Sequence, residues 1–217
     1  DFLHTEIKDI VDYFNLIHTL TNVGYSDRQK IFSKFTIEAL LPLFRKATAE
    51  NYSSGLSATK LYNHDLATVL FANTEINLNG NEVGFSSLGN ILLKLKLVDP
   101  VRSKDVLRKC DRNILVRKAT ANDINFGQII KSIEELKSVD QIQAVEIFNL
   151  VSNDPKYQAK IYKLSFDLFL HTIVSIHKIS PKTAKETFTT YTNQHKHDLN
   201  SQNISFQIFT QGLGKLS

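Results

Sequence analysis

An all-α fold of helical hairpins, each about 40 residues and stacked as an α-solenoid, is predicted by three observations. One apolar ladder recurs four times, capping residues precede most of its starts, and turn-formers are scarce. The ladder starts at Phe85, Phe126, Phe166 and Phe206, at intervals of 41, 40 and 40 residues. Each start is followed by apolar residues at offsets of three, seven and ten: Leu88, Leu92 and Leu95; Ile129, Ile133 and Leu136; Phe169, Ile173 and Ile176; Phe209, Leu213 and Leu216. Alternating steps of three and four place each set on one helix stripe. Asn125, Ser165 and Ser205 precede three of the starts as N-cap types, and Gly84 precedes the first. With only eight glycines and four prolines, a β-sandwich with regular turns does not fit.

The first third, residues 1–83, reads as irregular helical hairpins, and 84–217 as the regular array. Ile10, Tyr13, Ile17 and Leu20 repeat the ladder after Asp9, but they stand out of register with Phe85. Helices are predicted over about 26–49 and 57–73, the second capped by Ser57 with Leu61, Leu66, Val69 and Leu70 as its stripe. A break is expected at 50–57. The polar stretch Asn73–Gly84, with Asn79 and Gly80 as turn material, reads as a long loop.

Between ladders the pattern predicts one further helix per unit: Ser103 on through Val116, Asp140 through Leu150, and Lys182 through Thr192 behind Ser180 and Pro181. A hairpin of this kind cannot bury both faces alone, so neighbouring units must stack. No capping element follows the fourth ladder, so more chain, or neighbouring proteins, are expected to cover Phe209 and Leu213. The lack of methionine and the start at Asp1 read as a processed piece.

Composition is that of an ordinary globular chain: 42% hydrophobic and 22% charged. The richest apolar stretch, Leu164 to Ile176, is interrupted by Asp167 and His171, so no membrane span is expected. A single cysteine, Cys110, excludes an intramolecular disulfide and a multi-cysteine zinc site, and fits a reducing compartment. The net charge of +4 and pI near 9.0 are compatible with a polyanionic partner.

The segments Phe85 to Leu95 and Phe126 to Leu136, with His64 to Leu70, resemble the first helix of octotricopeptide-type repeats. They also resemble the related repeats of FAST-kinase-like and RAP-domain organellar proteins. The resemblance covers roughly 85–217; the proline–tryptophan signature of the octotricopeptide second helix is absent, since the chain has no tryptophan. What it implies is organellar RNA binding, in RNA processing, translation or the mitoribosome, and a mitochondrial matrix location.

Seven cations fall within seventeen positions: Arg102, Lys104, Arg108, Lys109, Arg112, Arg117 and Lys118, with Asp105 and Asp111 among them. On one continuous helix Lys104, Arg108 and Arg112 would share a face that could follow a phosphate backbone. The bland reading is a solvated outer helix. A thinner set, Lys156, Lys160 and Lys163, lies beside Tyr157 and Tyr162, which could stack unpaired bases or simply pack their rings. His195, His197 and Asp198 invite a metal, yet residues two apart do not converge on a helix. His171 and His177 read as polar edges of an apolar helix, and Cys110 as a buried thiol. No phosphate-binding glycine loop, zincin motif or nucleophile elbow occurs.

These readings converge on a non-enzymatic RNA-binding solenoid without cofactor or metal, a component of a mitochondrial ribonucleoprotein. The competing reading is a protein-binding scaffold, a peripheral subunit or assembly factor of a large mitochondrial complex.

Overall fold

The computed structural model describes residues 7–22 and 24–195. Among them are thirteen α-helices, one 3₁₀ turn and no strand. The fourth ladder, from Phe206, lies outside the described residues.

The chain opens as its first ladder requires. α1 (Ile10–Thr19) starts at Asp9, whose carboxylate accepts from the backbone N–H groups of Val11 and Asp12, and it buries Ile10, Tyr13 and Ile17. The helix expected over 26–49 is two helices, α2 (Tyr25–Phe32) and α3 (Ile37–Lys46). Thr36 caps α3, and the break turns Phe35 inward, its ring edge-on to Tyr13 at 5.3 Å.

The break expected at 50–57 is instead the interior of α4 (Ala49–Tyr62), capped by Thr48; Ser57 is not a cap. The small residues there serve packing. Ser53 and Thr59 are fully buried and return their hydroxyls to the carbonyls of Glu50 and Gly55. A Cβ on Gly55 would stand 3.1–3.2 Å from Ile10 and the Phe44 ring, so glycine lets α1 and α3 close on α4. α5 (His64–Ala72) begins at Asn63, which also ends α4. The segment 73–84 is a loop, as its sequence predicts, anchored by the buried Leu78 and Val83.

From Phe85 onward three successive segments each open with a fourteen-residue helix: α6 (Phe85–Val98), α9 (Phe126–Val139) and α12 (Phe166–Ile179). Their ladders point into the core; Phe126 and Phe166 alone among the described ladder residues are only half-buried. Asn125 and Gln128 form a reciprocal capping box at α9, whereas Ser165 sits at the cap position of α12 without a side-chain bond.

The second part of these segments differs from the hairpin expected. After α6 come two helices, α7 (Pro100–Arg108) and α8 (Arg112–Ala119); after α9 come α10 (Gln141–Ser152) and α11 (Pro155–Ile161). Only α12 is followed by one long helix, α13 (Pro181–Gln194). Asp111 and Asp154 cause the extra breaks. Each extends its backbone and caps a new helix, and Pro155 then occupies the first turn of α11.

The long helices α4, α6, α9 and α12 pack in sequence, and the shorter helices lie against them. α6 and α9 approach most closely. A Cβ on Gly89 would lie 2.6 Å from Cβ of Glu135 and 3.0 Å from the Ser132 carbonyl. The residue 41 further on is Ile130, and the α9–α12 pair is looser, leaving a mostly apolar groove of about 570 Å³ beside Phe126, Leu164 and Leu168.

Lysines tie the long helices end to end. The ammonium of Lys60 donates to the Leu97 carbonyl, that of Lys96 to Ser138 at 2.5 Å, and that of Lys137 to Lys178. Each cation thus meets the negative end of the next long helix, where free carbonyls gather.

Candidate nucleic-acid interface

The basic stretch 102–118 divides by geometry into cations with work inside the fold and cations without it. Arg102, on the first turn of α7, lays its guanidinium 5.1 Å above the Phe71 ring and donates from Nη2 to the Thr74 carbonyl at 3.0 Å. Arg108 pairs with the Asp140 carboxylate at 3.1 Å and with Asp105 at 3.5 Å. Asp140 is itself the cap of α10, so this pair joins the end of α7 to the start of the next segment's second helix.

Arg112 opens α8, so it does not continue the face of Lys104 and Arg108; the single-helix stripe is not what forms. Its Nη1 donates to the carbonyls of Leu107 and Cys110 at 3.2 and 3.3 Å, closing the end of α7, and its Nη2 donates to the Gln143 amide oxygen. Lys118, at the end of α8, holds the 73–84 loop by donating to the carbonyls of Leu78 and Gly80. Partial burial lowers its pKa from the ordinary lysine value, against the pull of the Glu82 carboxylate.

Lys104, Lys109 and Arg117 are different. All three are exposed, and none has a side-chain partner among the described residues. They stand on α7, at its C-terminal end, and on α8. Lys109 lines a hollow of about 390 Å³ together with Phe71, Thr74, Glu75, Arg102 and Val106 among others.

The thinner set divides the same way. Lys160 donates to the carbonyls of Ala121 and Ile124 at 2.5 and 2.7 Å, whereas Lys156 and Lys163 are exposed. Tyr157 offers no platform for a base. Its ring is buried against Phe126 and Phe148, at 5.2 and 6.2 Å, and burial pushes its phenol well above the usual tyrosine pKa. Tyr162 is half-buried near Tyr191.

The basic surface of α7 is not repeated on α10, although exposed lysines return at the matching positions of α13, Lys182 and Lys185. The positions of α10 that match Val101, Lys104 and Arg108 by a shift of 41 are Ile142, Val145 and Asn149. Ile142 is 77% exposed and Leu150 42%. The α10 side is therefore apolar where α7 is cationic.

Cys110 is buried, donates its thiol to the Val106 carbonyl, and is pushed up to about 11 by burial, which outweighs Arg112 and Lys118. His171 lines the α9–α12 groove and His177 is half-buried. His195 has its Nε2 3.1 Å from the Tyr162 carbonyl; His197 and Asp198 lie outside the described residues. Among the described residues no three His, Cys, Asp or Glu side chains gather as a metal site, and no helix is long and apolar enough to cross a membrane.

The α7–α8 break and the second role of the arginines were not read from the sequence. The signal for the break was present: Asp111, like Asp99, Asp140 and Asp154, is a capping residue ahead of a helix-forming run. Comparison with protein-family models, curated proteins and solved structures finds no match to this chain.

Proposed function

We propose that the chain is a non-enzymatic α-solenoid that binds RNA through the α7–α8 edge, as part of an organellar, mitochondrial ribonucleoprotein. The observation that carries this reading is the trio Lys104, Lys109 and Arg117. A folded chain that uses five nearby or equivalent cations as internal ties leaves these three to solvent. Exposed cations without partners are suited to neutralise phosphates and release counterions.

Two sets of contacts support the stacking part of the reading. The links from Lys60, Lys96 and Lys137 connect consecutive long helices in one manner. The caps Asp99, Asp140 and Ser180 stand 41 and 40 residues apart at the same corner of successive segments. The organellar setting comes from the octotricopeptide-like resemblance of the ladders.

A salt titration of single-stranded RNA binding tests the proposal. Affinity should fall steeply with salt, and Lys104→Glu, Lys109→Glu and Arg117→Glu together should abolish binding with the fold intact. Affinity indifferent to salt, or unchanged in that variant, overturns it. Arg108 and Arg112 are poor choices for this test, since their loss also loosens helix contacts.

A protein-scaffold reading is favoured by the exposed Ile142 and Leu150 on α10, which cations do not border as they do on α7. Size-exclusion chromatography of the native assembly, with and without nuclease, separates the two. Nuclease-resistant association favours a protein partner.

A further inference from the structure

We propose that the hollow between the end of α5 and the outer side of α7 is a pocket for one phosphate-bearing nucleotide, sitting within the RNA-binding edge. Its volume of about 390 Å³ falls in the range of small-molecule sites, roughly 300–1,000 Å³. Its wall combines the apolar Ile76 and Val106 with the charged Arg102, Lys109 and Glu75.

Arg102 is the residue that points to an anion. Its guanidinium is fixed by the Phe71 ring beneath it and by the Thr74 carbonyl. Its Nε is buried and has no acceptor among the described residues. That donor is sealed from the hollow, so what Arg102 brings to the wall is the fixed positive charge of a guanidinium held by Phe71 and Thr74.

The charge count agrees. Arg108 and Asp105 also line the hollow, but they pair with each other, and Arg108 further with Asp140. That leaves Arg102, held by a carbonyl and a ring rather than by a carboxylate, and Lys109, unpartnered among the described residues, beside Glu75, two cationic groups that a phosphate could engage. A guanidinium already held flat offers its donors to phosphate oxygens with little ordering cost. The aliphatic side, Val106 and Ile76, is where a ribose or base would rest.

The ligand as part of a strand rests on the RNA reading; the pocket itself does not. The test therefore measures both on the full chain: adenosine 5′-monophosphate by calorimetry or by NMR shifts, and a single-stranded oligoribonucleotide by anisotropy. Two variants accompany them, Val106→Trp to fill the hollow and Lys109→Ala to remove an exposed cation without touching the core. Thermal melts confirm that each is folded. The expected result is nucleotide binding displaced by the oligonucleotide and weakened at least tenfold in both variants. RNA binding with no nucleotide binding, unaltered by Val106→Trp, overturns the pocket and leaves the α7–α8 surface standing. Nucleotide binding without RNA binding keeps the pocket and overturns the RNA reading. Binding of neither overturns both.

Discussion

Lys118 and Lys160 do the same thing 42 residues apart: each ends a short helix and lays its ammonium on two carbonyls of a preceding loop. Lys118 holds Leu78 and Gly80 at 3.1 and 2.6 Å; Lys160 holds Ala121 and Ile124 at 2.5 and 2.7 Å. These loops precede α6 and α9, so the lysines fix where the long helices begin. Replacing either by methionine keeps the aliphatic stem and removes the donors. Each change should cost about 1–3 kcal/mol in denaturant unfolding, the scale of hydrogen bonds to a charged group. Lys118→Met should also raise amide exchange in 73–84. Lys104→Gln should alter neither.

Gly89 offers a second test. Glycine inside a helix is normally worse than alanine by about 1 kcal/mol, so Gly→Ala usually stabilises. Here the added Cβ would meet Cβ of Glu135 at 2.6 Å and the Ser132 carbonyl at 3.0 Å. Gly89→Ala should therefore destabilise by about 1–3 kcal/mol, as overpacking does. Gly127→Ala, whose Cβ finds nothing nearer than 3.4 Å, should be neutral or better. Chemical denaturation of both variants decides it, and a stabilised Gly89→Ala would contradict the close approach of α6 and α9.

Gly55 and Gly89 also mark where sequence reasoning stops. The apolar ladders are legible because a helix that buries one stripe must repeat every three to four residues, and those within the described residues land on buried stripes, with Phe126 and Phe166 half-buried. Ser53, Gly55 and Ser57 have turn composition, yet they lie inside α4 because two other helices need the room. Small residues signal a loop or a close approach equally well until the neighbours are known. The cations pose the same problem. Lys104 and Lys118 look alike in the sequence, and only the position of a loop 40 residues away makes one a surface charge and the other a tie. Asp111 was the readable clue that α7 and α8 are separate.

Arg108 and Asp140 join the end of α7 to the start of α10, the second helix of the next segment. Asp140 is both a partner and a helix cap, while Arg108 is half exposed, so their removal should be unequal. Asp140→Ala should cost about 1–2 kcal/mol through the lost cap alone. Arg108→Gln, which leaves the buried Asp140 carboxylate its two backbone donors, should cost less, about 1 kcal/mol. A double-mutant cycle from urea unfolding reads the coupling between them.

Cys110 predicts a dependence on alkaline pH. Burial raises its thiol from 9.0 to about 11, so between those values the folded chain keeps a proton that the unfolded chain has lost. Unfolding then releases protons, and stability falls as pH rises through that window, by at most about 2–3 kcal/mol. Cys110→Ala should flatten the stability curve from pH 9 to 11 relative to the native chain. An unchanged slope would show that the thiol is not responsible.

The division of the cations into ties and free charges is measured most directly by pairing RNA affinity with stability in two triple variants. One replaces Lys104, Lys109 and Arg117 by glutamine; the other replaces Arg108, Lys118 and Lys160. The first should keep its melting temperature and lose about 2 from the slope of log affinity against log salt, near 0.7 per single-strand phosphate contact. The second should melt lower. RNA affinity and salt slope unchanged in the first variant would contradict the account.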